Sequence, residues 1–155
     1  LYPVGGTKPY RFDVIEKELY AGTRDRLPLG TVSESTFTAG TAIGSLTVRV
    51  VDAAEKTAEV VVTVNPPAPG NFTVTRSFVD KKTYLSWTYG DKQMIGSFLL
   101  RDSTDGVTFT ETSLTKEATG FTHDTPSQPT TYTYELIAVA GSFRSAAVTG
   151  IAQGQ

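Results

Sequence analysis

Alternation of apolar and polar residues with a period of two runs through most of this chain. Tyr10, Phe12 and Val14 alternate with Arg11, Asp13 and Ile15, the pattern of a half-buried β-strand. Pro9 can open that strand but could not sit inside it. From Glu18 to Gly40 the chain is rich in Gly, Thr and Ser and has no clear phase. A hairpin pattern follows. Leu46, Val48 and Val50 face one way, and Ser45, Thr47 and Arg49 the other. Residues 52–56 form a polar turn, and Ala58, Val60, Val62 and Val64 return on one face, with only Val61 breaking the alternation. Two β-branched strands joined by a loop are not stable alone. They need a second sheet, and the Phe12 strand is its expected donor, with Phe12, Val48 and Val60 in the core.

The C-terminal half repeats the theme. Phe72 to Val74 opens a strand, Leu85-Ser86-Trp87 a second, and Ile95 to Arg101 a third with Phe98 and Leu100 inward. Asp105-Gly106 is a turn signal. Tyr132, Tyr134, Leu136 and Ala138 share a face of a long strand, and residues 145–151 supply the last one. Seven short alternating segments spaced by Gly, Asp, Pro and Ser turns predict a two-sheet sandwich. Trp87, Phe98 and Tyr132 are its expected core fillers.

Between the halves lies Asn65-Pro66-Pro67-Ala68-Pro69-Gly70. Prolines cannot donate ladder hydrogen bonds, and their φ is fixed near the polyproline value. The stretch therefore reads as a stiff spacer. The expected organisation is a β-domain over 1–65, a linker over 66–70 and a second β-domain over 71–155, each small enough to depend on good packing.

Two resemblances follow from these residues. Gly5 to Phe12 (GGTKPYRF), Leu46 to Asp52 (LTVRVVD) and Thr57 to Val64 (TAEVVVTV) resemble bacterial immunoglobulin-like repeats, the broad group that includes PKD and cadherin-like modules. The second half resembles fibronectin type III domains, with Trp87 at the family's core tryptophan and Tyr132 at its tyrosine corner, whose hydroxyl bonds back to the backbone. The resemblances imply an all-β chain of two tandem immunoglobulin-like β-sandwiches joined by a Pro-rich linker. The calcium sites found in some of the bacterial repeats are not implied here, because no run of spaced carboxylates offers the oxygens calcium takes.

Composition narrows the function classes. With 39% hydrophobic and 19% charged residues, the chain has the content of a folded domain, and no apolar run approaches the ~20 residues of a membrane-spanning helix. Net charge is −2 and each half carries seven Lys/Arg against eight Asp/Glu. Neither half has the basic block that nucleic acid or an anionic membrane requires. The lack of cysteine removes disulfides, zinc–thiolate sites and thiol catalysis. Leu1 to Val4 carries no leader pattern and the first residue is not Met, so a piece of a longer or processed polypeptide is expected.

Candidate chemistry is sparse. Any catalytic triad would have to use His123, the single histidine, yet His123-Asp124-Thr125-Pro126 reads as a solvated loop, with Ser127 nearby but no elbow or oxyanion hole. Asp102 and Asp105 flank a hairpin, where acids shape turns; they are a weak match to a glycosidase pair. Residues 40–44 lack the Lys and the following helix of a phosphate loop. Tyr20, Tyr84 and Tyr89 are candidate exposed aromatics for stacking on a sugar. Asn71-Phe72-Thr73 is a formal glycosylation sequon.

The expectation is a non-enzymatic structural or adhesive module without cofactors. It would act as spacer and protein–protein contact in a phage virion or tail appendage, or in a bacterial surface protein. Its partners would be other protein subunits of that extracellular, cell-surface or virion assembly. The alternative is an accessory glycan-binding or spacer module of a secreted polysaccharide-degrading enzyme. Edge strands are ready templates for a further chain, but alternation alone does not choose the edge.

Overall fold

The computed structural model describes all residues except Tyr2, 21–28, 126–129 and Gln155, and gives no side-chain placement for Glu16 and Lys17. The chain divides into two units, Leu1–Asn65 and Pro66–Gln155. The spacer expected at 66–70 lies at the start of the second unit, and Gly70 is already the first residue of a strand.

In the first unit, β1 (Arg11–Leu19), β4 (Gly44–Val51) and β5 (Thr57–Val64) form one antiparallel sheet in the order β1-β4-β5. The Phe12 strand therefore does not supply the facing layer. Phe12 lies opposite Val50 and Val14 opposite Val48 in the same sheet. The facing layer is a hairpin of two four-residue strands, β2 (Gly30–Ser33) and β3 (Thr36–Ala39). Leu29, Ala42, Leu46 and Val48 are buried between the layers, with Phe12, Val32, Phe37, Val62 and Val64 packed around them. A β-bulge between Val14 and Glu16 shifts the β1 register. At the other end of that pairing a Cβ on Gly44 would stand 2.1 Å from the Glu18 carbonyl oxygen, so only glycine lets the backbones approach.

Val60 departs from the expected core. It lies on the core face, opposite buried Val48, yet is 38% exposed. At about 3.3 Å per residue, a four-residue strand spans half the length of the eight-residue β5. The hairpin covers the Val62–Val64 end, and the Ala58–Val60 end lies open.

The second unit is a two-sheet sandwich. One sheet has the order β10-β7-β6, built from β6 (Gly70–Ser77), β7 (Lys82–Thr88) and β10 (Gly120–Asp124). The other has the order β12-β11-β8-β9, with β13 also paired to β11. Its strands are β8 (Ser97–Ser103), β9 (Thr110–Thr115), β11 (Tyr132–Ala140), β12 (Phe143–Arg144) and β13 (Val148–Ala152). A single 3-10 turn, Lys92–Met94, precedes β8 and is capped by the Asp91 carboxylate, which accepts from Gln93 N. Strict alternation in β7 turns Thr83, Leu85 and Trp87 inward and Tyr84, Ser86 and Thr88 outward. Trp87, Phe98, Leu100, Tyr134 and Leu136 are buried together, and the Trp87 and Phe98 rings meet edge to face with centroids 5.6 Å apart. Tyr132 is half-buried against this cluster. Its expected corner hydrogen bond would run toward residues 126–129, outside the described residues.

Candidate functional site: the outer edge of β5

The most exposed apolar surface on a strand of the first unit is built on β5. The turn before it fixes its geometry. Asp52 N donates to the Lys56 carbonyl at 3.0 Å, and Glu55 N to the Asp52 carbonyl at 3.0 Å. Glu55 occupies the left-handed region at φ 61°. The Asp52 carboxylate accepts from the backbone N–H groups of Thr7 (3.0 Å), Ala54 (2.9 Å) and Lys56 (2.8 Å). Hydrogen bonds from Thr7 and Lys56, with a further one from Ala54, hold this carboxyl below its ordinary pKa against the opposing effect of burial. The same acid ties the N-terminal segment to the hairpin.

Hydrogen bonding in an antiparallel pair alternates. Because the turn closes through a bonded Asp52–Lys56 pair, and the register runs unbroken from Val51–Thr57 to Gly44–Val64, the bonded pairs are those of Ala58, Val60, Val62 and Val64. The N–H and C=O groups of Thr57, Glu59, Val61 and Thr63 point away from β4. That outer edge pairs with no strand among the described residues.

The core face of this edge is apolar (Ala58, Val60, Val62, Val64), and on the outer face Val61 stands among Thr57, Glu59 and Thr63. Val61 is 65% exposed on the outer face. On the core face, Val60 borders a shallow hollow of about 300 Å³, which adjoins one of about 230 Å³ and shares Pro3, Val4, Val50 and Ala58 with it. The charge on β5 is Glu59, which receives Arg49 Nε and Nη2 from the neighbouring strand at 3.1 and 3.0 Å. Alternation did carry one trace of this edge, since Val61 is the residue that breaks it.

The other candidate residues do not assemble into a site. Tyr84 and Tyr89 do not share a face. Tyr84 is exposed on the outer side of β7, 3.3 Å from Asp80 Oδ2, where desolvation and the Asp80 carboxylate raise its pKa. Tyr89 packs against the core, its ring edge to face with Phe98 at 5.4 Å, and its buried hydroxyl has no hydrogen-bond partner among the described residues. Burial first, and Asp91 second, push that phenol up to about 12. Tyr20, half-buried, belongs to the first unit, where its N–H donates to the Ile43 carbonyl at 3.0 Å.

His123 is not a loop residue. It sits on β10 opposite Thr83, with Nδ1 2.8 Å from the Tyr134 hydroxyl and edge-to-face contacts to Tyr132 and Tyr134. Thr83 of β7 and Thr125, just past β10, close the same corner, their buried hydroxyls 3.2 Å apart. Ser127 lies outside the described residues. Asp105 accepts from Ser103 Oγ and from the N–H groups of Val107 and Thr108 at 2.7–2.8 Å. The Thr108 and Val107 bonds lower its pKa most, and it organises the β8–β9 turn. Among the described residues no group of His, Asp or Glu could hold a metal ion, and no catalytic constellation is assembled.

No protein-family model matches the chain, and no curated protein matches it. Among solved structures, a two-domain fibronectin type III segment of chicken tenascin is similar over 97% of this chain and 87% of its own, at 17% identity and a TM-score of 0.57. A fibronectin type III domain of human collagen XX covers 56% of this chain and 90% of its own, at 17% identity and a TM-score of 0.49. An Fn3-like protein from Clostridium thermocellum covers 58% and 94%, at 20% identity and 0.48. The likeness to the tenascin pair decides the fold. The chain has the fold of two tandem β-sandwich units, immunoglobulin/fibronectin type III-like in architecture.

Proposed function

We propose that this chain is a non-enzymatic structural and contact module of a larger exposed assembly. It serves as a spacer and a protein–protein contact in a phage virion or tail appendage, or in a bacterial surface protein. The first unit is read as a repeat of the bacterial immunoglobulin-like kind and the second as a fibronectin type III domain. One observation carries this reading: His123 and Asp105 are tied into packing and a turn, while the outer edge of β5, which pairs with no strand among the described residues, offers backbone groups and exposed valines to a protein partner. Sheet edges bind other chains through main-chain bonds, with side-chain pockets adding selectivity.

Imaging of the native particle or cell envelope with a label on the second unit tests this. Repeated, ordered positions in contact with neighbouring subunits are expected. A freely diffusing product with turnover on a polysaccharide, lost on His123→Ala, would overturn it. The glycan-binding alternative requires Tyr84 and Tyr89 to act together, and their opposite placement speaks against it. Binding on a glycan array that disappears in Tyr84→Ala would restore it.

A further inference from the structure

We propose that β5 of the first unit pairs edge to edge with β5 of a second copy of this chain, giving a continuous six-stranded antiparallel sheet. The inference rests on the contact-module reading and names its partner. Natural edge strands are shielded by charged side chains, lysine above all, by proline, bulges or short length. β5 carries one charge, Glu59, which is paired with Arg49, and none of the other devices. It is eight residues long, contains neither Lys nor Pro, and its register with β4 is unbroken.

The outward groups define the pairing. With the outward N–H and C=O of Thr57, Glu59, Val61 and Thr63 pairing with no strand among the described residues, a two-fold axis at Val61 sets Val61 against the second copy's Val61, and Glu59 against its Thr63. On the core face the same register sets Val60 beside the second copy's Val62. Valine then meets valine on both faces, and cross-strand pairs of this kind stabilise a sheet. Charge does not oppose this register. Glu59 is matched within its own sheet by Arg49, and this register keeps the two Glu59 side chains from facing each other. Like charges directly opposite would be destabilising. The first unit carries seven basic and eight acidic residues, so net repulsion between copies is small. The hollow beside Ala58 and Val60 is also narrowed, because the apposed strand extends the floor of the incomplete core. One strand pair is small against the roughly 1,200 Å² of a standard interface, so the dissociation constant is expected on the order of 100 μM.

Sedimentation equilibrium of the whole chain, from about 10 μM to 1 mM, is the test. A monomer–dimer equilibrium is expected. Val61→Lys places a charge on an already exposed position. Thr63→Pro removes one outward N–H without adding charge. Each should weaken association about tenfold or more. Val79→Lys, in an exposed turn of the second unit, should leave it unchanged. A synthetic peptide of sequence 57–64 should compete. A monomer throughout the range, or a dimer indifferent to both β5 variants, overturns the pairing. Neither result touches the structural-module reading, which the imaging experiment judges separately.

Discussion

The imidazole Nδ1 of His123 and the hydroxyl of Tyr134 lie 2.8 Å apart and join the two sheets of the second unit, one residue from β10 and one from β11. Tyr134 is fully buried, and burial pushes its phenol up to about 12. Its neutral form is therefore favoured in the fold relative to the ordinary value of 10. Below about pH 10 the stabilisation is complete. Between 10 and 12 the unfolded chain releases the proton first, so stability falls as pH rises, by up to about 1.4 kcal/mol per pH unit for each such tyrosine. Tyr89 contributes with the same sign. Urea midpoints measured from about pH 8 to 12 should stay level and then drop. Tyr134→Phe should cost about 1–2 kcal/mol at neutral pH by leaving His123 Nδ1 unpaired, and should make the alkaline drop shallower.

Tyr89→Phe should act in the opposite direction. The Tyr89 hydroxyl is buried with no hydrogen-bond partner among the described residues, while its ring packs on Phe98. A buried polar group without a partner costs roughly 1–3 kcal/mol, and phenylalanine keeps the ring. Thermal unfolding should show a rise in midpoint. A fall would mean that the hydroxyl is satisfied in solution.

Trp87→Ala removes the largest side chain of the second core. Trp87 is buried, contacts Phe98 edge to face, and anchors the centre of the cluster. A loss of about 3–5 kcal/mol is expected, which is a large share of the stability of a small domain. Chemical denaturation followed by tyrosine fluorescence would read it.

How much of this was legible in the sequence follows from what alternation encodes. It says which side chains turn inward, and so Trp87, Phe98 and Val48 could be placed from their neighbours alone. It does not say which strands pair. The Phe12 strand was expected to face the hairpin, but Phe12 lies beside Val50 in the same sheet, a choice made between residues 38 apart in sequence. Nor does it say how far a covering layer reaches, so Val60 has the right face and the wrong exposure. His123-Asp124-Thr125-Pro126 reads as a loop in the sequence, yet the ladder with β7 continues through His123 to Asp124 opposite Lys82. The β5 edge left one sign in the pattern, Val61. Its meaning emerges only once β4 is seen to occupy one side of β5 and no described strand the other.

Acid should loosen the first unit through Asp52. Its carboxyl sits below the ordinary carboxylate range because the Thr7, Lys56 and Ala54 N–H groups bond to the ionised form. A depressed pKa contributes stability that is present above the unfolded value and lost as pH falls through the folded one. Stability is thus expected to decline below about pH 4, with Asp105 adding the same trend in the second unit. Asp52→Ala should lower the midpoint at neutral pH and weaken the acid dependence of the first unit. Amide exchange at Thr7 and Lys56 would show the local origin, since both lose their acceptor.

Glu55→Gly should stabilise the β4–β5 hairpin. The bonds from Asp52 N to the Lys56 carbonyl and from Glu55 N to the Asp52 carbonyl require a residue with positive φ at the last position of the loop, and Glu55 takes it at 61°. A Cβ in that region meets the following carbonyl, at a cost of about 1–2 kcal/mol for an ordinary L-residue. Glycine removes the clash but gains freedom in the unfolded chain, which offsets part of the benefit. The net gain should be about 0.5–1 kcal/mol. The Glu55 side chain is exposed, so little packing is lost in exchange. A urea-midpoint increase with an unchanged m-value would confirm that the turn alone responds, whereas no gain would show that the left-handed conformation carries no strain at this position.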